Sequence, residues 1–297
     1  MKIGLALGSG GARGLAHIGV LKALHEENVE ISYIAGSSMG ALVGAVYAST
    51  QSIDSLMDLS ESITWQQLIR LFIPTLSKSG LVDGEKVVEL LEKWIPSKRF
   101  HDLDIPLALE ATDIINGSLL TLTDGDLLPA IRASISIPIV FTPISINGRT
   151  LVDGGLISPV PVETVRNMGA DFVIGVNVLA ENRSWLSTEK VQKQVQKQNQ
   201  QRPNILSQIF KPQETVPEKR DSRKTNLGPI LVLTQTIGVT ISKMAEYQLN
   251  LQKPELLIEP DTTQINVYDF HRGDAVINDA YKLAKRKIQE NRARFDK

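Results

Sequence analysis

Short apolar runs alternate in this chain with helical stripes and glycine-rich turns. Ile3 to Leu7 is apolar throughout, the pattern of a strand buried on both faces. The loop Gly8-Ser9-Gly10-Gly11-Ala12-Arg13-Gly14 follows, and then Leu15, Ile18, Leu21 and Leu24 recur at the three-residue spacing of a helix. Ile31 to Ala35 reads as a second strand, Gly36-Ser37-Ser38-Met39-Gly40 as a sharp turn, and the small and apolar residues from Ala41 to Ala48 as a second helix. Two successive β-loop-α units imply a parallel sheet with helices on its faces and with the loops after its strands sharing one edge. The glycine loop and Ser38 are therefore expected to face each other.

From Ile53 to Pro96 the pattern is helical, with stripes at Ile53, Leu56 and Met57, at Trp65, Leu68, Ile69 and Phe72, and at Val87 to Trp94 behind a capping Asp83. Trp65, Leu71, Phe72 and Ile73 suit either a core or an acyl-binding wall. Ile105 to Ala111 and Leu119 to Leu122 predict strands, Asp126 to Ala133 a short helix, and Ser136-Ile137-Pro138 the start of an extended stretch reaching Ile146. Asn147-Gly148 is a hairpin turn, so the returning strand Thr150-Leu151-Val152 delivers Asp153-Gly154-Gly155 at its end. A helix over Pro161 to Met168 stopped by Gly169, a strand over Phe172 to Val178, a long apolar helix from Pro229, a strand over Leu256 to Ile258 and a charged helix after His271 complete the pattern. Between Glu181 and Gly228 the composition turns polar and basic, with Pro203, Pro212 and Pro217 interrupting it, as in an insertion.

Composition narrows the functional classes. With 297 residues, 42% of them hydrophobic and 22% charged, the chain can bury a substantial core. A formal net charge of -1 predicts no broad field for nucleic acid. The absence of cysteine excludes disulfides, thiolate nucleophiles and Cys-bound metals. The first residues lack the apolar core of a signal peptide, and the uncharged window from Ile31 to Ile53 is too rich in Gly, Ala and Ser for a membrane span, so a soluble, cytoplasmic protein is expected. Basic residues of the insertion lie near Ile205, Leu206, Ile209 and Phe210, a combination that suits peripheral contact with the anionic inner face of a membrane as well as a solvated loop.

The chemistry concentrates in the glycine turns. Gly36 to Gly40 has the spacing G-x-S-x-G, the elbow that lifts one hydroxyl from the end of a strand to the N-terminus of a helix, where unpaired N–H groups favour developing negative charge. Glycine at both flanks suits crowded or positive-φ backbone. Ser38 is thus a candidate nucleophile. The loop before the first helix exposes consecutive amides that can receive an oxyanion. A dinucleotide fingerprint would need glycine at Arg13 and an acidic residue after the second strand, and no P-loop lysine is present.

In type, order and spacing, Gly10-Gly11-Ala12-Arg13-Gly14, Gly36-Ser37-Ser38-Met39-Gly40 and Asp153-Gly154-Gly155 resemble the motifs of the patatin-like phospholipases. Together with Arg132-Ala133-Ser134-Ile135-Ser136-Ile137-Pro138 they are similar to the bacterial branch related to the catalytic domain of neuropathy target esterase. The resemblance implies one three-layer α/β domain over residues 1–297, with a mainly parallel sheet flanked by helices and the insertion at about 181–228. It implies Ser38 as nucleophile, Asp153 as its partner in a dyad, and an oxyanion hole from the N–H groups of Gly10, Gly11 and Ala12, joined by Met39. Arg13, Gly14, Gly36, Gly40, Gly154 and Gly155 support these motifs. The implied activity is hydrolysis of acyl esters of phospholipids or lysophospholipids, without metal or cofactor. Two alternatives stay open: a Ser-Asp-His triad, because Ser38, Asp153 and His271 fall in that order, and a non-catalytic acyl- or nucleotide-binding regulator on the same scaffold.

Overall fold

The first strand, β1 (Ile3–Leu7), shows why the chain needs helices on both faces of its sheet. Ile3, Leu5 and Leu7 share one buried cluster with Ile18, Leu21, Val43 and Ile277, whereas Ala6 belongs to a second cluster with Val165, Val173 and Ala245. Successive side chains of a strand point to opposite faces, so the sheet lies between two cores. A computed structural model of the protein describes residues 1–62, 91–179, 229–267 and 269–295. The helices α1 (Ala16–Glu26), α2 (Met39–Thr50), α3 (Ile53–Ser62) and α7 (Gly273–Glu290) contribute to the first core. On the other face lie α5 (Val162–Asn167) and α6 (Pro229–Gln252). Also among the described residues are α4 (Leu127–Ser134) and the terminal turn α8 (Arg292–Phe295).

Among the described residues the eight-stranded sheet adds β2 (Ile31–Ser37), β3 (Leu107–Asp113), β4 (Ser118–Leu122), β5 (Ile144–Ile146), β6 (Arg149–Asp153), β7 (Phe172–Val176) and β8 (Leu256–Ile258). Its order is β5-β6-β3-β2-β1-β7-β8, with β4 also paired to β3. The pairs β1–β2, β1–β7, β2–β3 and β7–β8 are parallel, while β3–β4, β3–β6 and β5–β6 are antiparallel. This is the expected α/β architecture with a mainly parallel sheet.

Three strands pair with β3, and their registers decide where the site forms. Glu110 is opposite Ser37 of β2 and Thr121 of β4, and Ala111 is opposite Asp153 of β6 and Leu120 of β4. A strand residue has only two sides on which to pair. With β4 on one side, β2 and β6 must share the other, meeting end to end between Glu110 and Ala111. The hairpin between β5 and β6 carries Asn147 and Gly148 at φ 49° and 75°, the two positive angles of a type I′ turn, as their sequence predicts.

Within the expected extended stretch from Ser136 to Ile146 only Ile144–Ile146 is strand. Ile139 takes φ 74°, and the amides of Val140 and Phe141 turn back to the carbonyl of Ile137. Arg132 explains the departure. Its buried guanidinium donates to Ser136 Oγ at 2.5 Å and to the Thr142 carbonyl at 2.9 Å, gathering the segment around itself. A buried cation requires such partners, and extended backbone would carry them away. The stripes expected between Trp65 and Val88, the capping Asp83 and the insertion from Glu181 to Gly228 lie outside the described residues. No helix among the described residues is long and apolar enough to cross a membrane.

Candidate active site

At the junction of β2 and α2 the chain turns on Ser38. Its backbone takes φ 56° and ψ −121°, a conformation that carries a strain of about 1–3 kcal/mol for a residue with a Cβ. The strain falls on the serine itself: neither Gly36 nor Gly40 has positive φ. That corrects part of the reason expected for the flanking glycines. Crowding is the operative cause, since a Cβ on Gly40 would lie 2.2 Å from the carbonyl oxygen of Leu7, and one on Gly36 would lie 2.5 Å from the carbonyl oxygen of Gly40. The Ser38 carbonyl accepts from the amides of Ala41 and Leu42, which starts α2, and the Ser38 amide donates to Ser134 Oγ at 3.1 Å.

Asp153 ends β6 beside this turn. Its Oδ2 accepts the Ser38 hydroxyl at 2.5 Å and its Oδ1 accepts the Gly155 amide at 2.8 Å. The main chain is held on both sides, with Asp153 N–H donating to the Ser136 carbonyl at 2.9 Å and Thr112 Oγ1 donating to the Asp153 carbonyl at 3.0 Å. Gly154 lets β6 close onto β3, because a Cβ there would sit 2.2 Å from the Glu110 carbonyl oxygen. Burial disfavours the charged carboxylate and pushes the Asp153 pKa up to about 6, against the opposing hydrogen bonds from Ser38 and Gly155.

The glycine loop packs against both groups. Its Gly8 amide donates to the Val176 carbonyl at 3.1 Å and its Ser9 amide to the Pro159 carbonyl at 2.7 Å. Ser9 Oγ donates to Ser37 Oγ at 3.2 Å and lies 2.2 Å from where a Cβ on Gly155 would stand. Gly14 abuts Met39, with 2.4 Å between its hypothetical Cβ and Met39 Cγ. The three sequence motifs thus converge. Gly11 adopts φ 55° at the start of a short 3-10 turn, Gly11–Leu15.

The amides of the loop are not equivalent. Among the described residues neither Gly10 nor Gly11 N–H has a backbone acceptor, but Ala12 N–H donates to the Val267 carbonyl at 2.9 Å. The Ala12 donor is thus committed to a carbonyl, whereas Met39 N–H is a first-turn amide without an acceptor in its own helix. Arg13 has no exposed surface and donates through Nε to the Ile265 carbonyl at 2.7 Å.

The imidazoles lie elsewhere. His17 is buried beneath the loop with Nε2 2.7 Å from the Gly8 carbonyl oxygen, and desolvation lowers its pKa to about 4. His271 is exposed in the short turn Phe270–Arg272. The Ser38 hydroxyl reaches Asp153 with no imidazole between them. Among the described residues no group of three His, Asp or Glu side chains is arranged to hold a metal ion. Sequence reasoning did not assign parts to Ser134, Ser136 and Arg132, although the stretch from Arg132 to Pro138 carried part of the resemblance. Their signal was a run of small polar residues around one arginine. Chemically, the site offers a strained hydroxyl at a helix N-terminus, a buried carboxyl that accepts from it, and amides able to receive negative charge.

The family model described as patatin-like phospholipase matches residues 5–166. An uncharacterized NTE family protein of Mycobacterium tuberculosis is 32% identical over 97% of this chain and 91% of its own length. The human patatin-like phospholipase domain-containing protein 6 is 33% identical over 63% of this chain but only 14% of its own length, and Lysophospholipase NTE1 of Yarrowia lipolytica is 30% identical over 59% of this chain and 12% of its own. Among solved structures, VipD from Legionella pneumophila shares the fold with a TM-score of 0.50 at 13% identity, covering 97% of this chain and 66% of VipD.

Proposed function

Because the chain belongs to the patatin-like phospholipase family, we propose that it is a serine hydrolase cleaving carboxylic esters of phospholipids or lysophospholipids through Ser38 and Asp153. The observation that carries this reading is the 2.5 Å hydrogen bond from the Ser38 hydroxyl to Asp153 Oδ2 at a strained elbow.

In this mechanism Asp153 takes the hydroxyl proton as Ser38 Oγ attacks the ester carbonyl. A carboxylate of ordinary pKa is a weak base, and the burial that lifts Asp153 to about 6 brings it nearer the range useful at neutral pH. The Gly10, Gly11 and Met39 amides receive the oxyanion of the tetrahedral intermediate, where loss of one donor typically costs about 10²–10³ in rate. Protonated Asp153 then gives its proton to the leaving alcohol. A water molecule then attacks the acyl-serine while Asp153 takes its proton, and as the acyl–Oγ bond breaks Asp153 returns that proton to Ser38 Oγ, releasing the fatty acid and restoring the carboxylate. One carboxylate serves both half-reactions.

Labelling by a fluorophosphonate probe, followed by profiling against phospholipid and lysophospholipid acyl esters, tests the proposal. Labelling at Ser38 and fatty-acid release that both vanish in Ser38→Ala are expected. Purified protein that neither labels nor releases fatty acid would leave a scaffold that only binds its ligand.

A further inference from the structure

We infer that residues 262–267 and Asp269 form a strap that positions the glycine loop, and that Arg13 is its latch. Three consecutive loop residues meet this segment. A Cβ on Gly11 would lie 2.6 Å from the Val267 carbonyl oxygen, the Ala12 amide donates to that oxygen at 2.9 Å, and Arg13 Nε donates to the Ile265 carbonyl at 2.7 Å. The strap is itself anchored at its start and braced along its length. Thr262 is buried and its Oγ1 donates to the Val178 carbonyl at 2.8 Å, while Ile265 N–H closes onto the Thr262 carbonyl at 3.0 Å. Within the strap Asp269 Oδ2 accepts from the Asn266 amide at 2.9 Å and from Asn266 Nδ2 at 2.8 Å, which holds its turn together.

The energetic logic runs through the arginine. A buried guanidinium is costly unless charge and hydrogen bonds compensate it. Desolvation lowers the Arg13 pKa to about 10, and the Asp269 carboxylate opposes that shift, so the side chain stays charged at neutral pH. Such a group holds whatever carries its acceptors. Arg13 has no exposed surface to offer a lipid phosphate. It fixes Ile265, and the strap in turn commits the Ala12 amide to Val267, which selects the Gly10 and Gly11 amides as the loop's donors to an oxyanion.

The kinetic part of this inference rests on the proposed hydrolase reading, whereas hydrogen exchange tests the strap without it. In the wild type the Ala12 amide should exchange about a hundredfold more slowly than those of Gly10 and Gly11, and Thr262→Val and Arg13→Lys should each erase most of that protection. With p-nitrophenyl butyrate, kcat per fluorophosphonate-titrated site should fall by about tenfold to a hundredfold in either variant, with KM within about twofold. The double variant should lose less than the product of the two. An Ala12 amide that exchanges as fast as Gly10 in the wild type overturns the strap. So does wild-type kcat per titrated site in the variants, and so does a raised KM with unchanged kcat, which would put Arg13 on the substrate. Should Arg13→Lys fail to fold, Thr262→Val decides alone, since its side chain bonds to Val178 and not to the loop. Absence of labelling and hydrolysis in the wild type would defeat the hydrolase reading and leave the exchange pattern to judge the strap.

Discussion

The hydroxyl of Ser38 and Oδ2 of Asp153 lie 2.5 Å apart across a sequence separation of 115 residues. Their distance is set by sheet register. Ser37 is opposite Glu110 and Asp153 is opposite Ala111, so the two strand ends meet on one side of β3. A one-residue slip of β6 would move Asp153 by about 3.3 Å and turn its side chain to the other face.

Replacing Ser38 separates its chemistry from its strain. Ser38→Ala and Ser38→Gly should both abolish labelling and ester hydrolysis. Glycine tolerates φ 56° where alanine does not, so Ser38→Gly should be the more stable of the two by about 1 kcal/mol after its larger unfolded-state entropy is counted. Chemical denaturation of both variants measures the difference. Equal stabilities would mean that the elbow is not strained.

The raised pKa of Asp153 predicts two opposite pH dependences. In the proposed mechanism activity needs the carboxylate, so kcat/KM should rise with pH and level off above an apparent pKa near 6. Stability runs the other way: between the ordinary aspartate value of 3.8 and about 6 the folded state binds the proton more tightly than the unfolded chain. The contribution of this group is therefore most favourable below the lower value and is lost as pH rises through the upper one, by roughly 3 kcal/mol at most. Asp153→Asn should flatten that part of the stability profile between pH 4 and pH 7. An unchanged profile would show that Asp153 titrates like an exposed carboxylate.

The choice between a direct carboxylate and an imidazole is made by a pair of variants. His271→Ala should keep most of the activity, because His271 is exposed in a turn and Ser38 already contacts Asp153. Asp153→Asn keeps the shape and removes the basicity, and should cost about 10²–10⁴ in kcat. A folded His271→Ala variant as inactive as Ser38→Ala would establish the triad.

Gly154→Ala tests the spacing of the strands. Its Cβ would fall 2.2 Å from the Glu110 carbonyl oxygen and 2.5 Å from the carbonyl carbon, so β6 must move away from β3 and carry Asp153 with it. Stability should drop by about 1–3 kcal/mol, and turnover by about a hundredfold for a displacement near 1 Å. Gly148→Ala is the control, since its Cβ enters open space and its cost, at φ 75°, is confined to the hairpin turn. Comparable activity in the two variants would contradict the argument.

Local patterns made much of this architecture legible in the sequence. The apolar run Ile3–Leu7 is β1, Leu256–Ile258 is β8, and Asn147-Gly148 turns the hairpin that delivers Asp153. Each of these signals is complete within a few residues. What stayed hidden depends on partners far along the chain. Two strands share one side of β3, Arg132 curls a segment that reads as extended, and Arg13 and His17 are buried where a cation or an imidazole usually meets solvent. The strap has no periodicity, because its contacts are made by carbonyls that every residue carries. For the same reason the commitment of the Ala12 amide could not be read from the identity of residue 267.

The end-to-end meeting of β2 and β6 has a kinetic consequence. Neither strand alone contains the site, which forms only once both β2 and the hairpin carrying Asp153 have paired with β3. Closure of such long chain segments is slow relative to helix formation. During refolding from denaturant, helical circular dichroism should therefore recover before reactivity toward a fluorophosphonate, and a collapsed intermediate that already contains α1 and α2 should be chemically silent. The site is assembled last, when the sheet is complete.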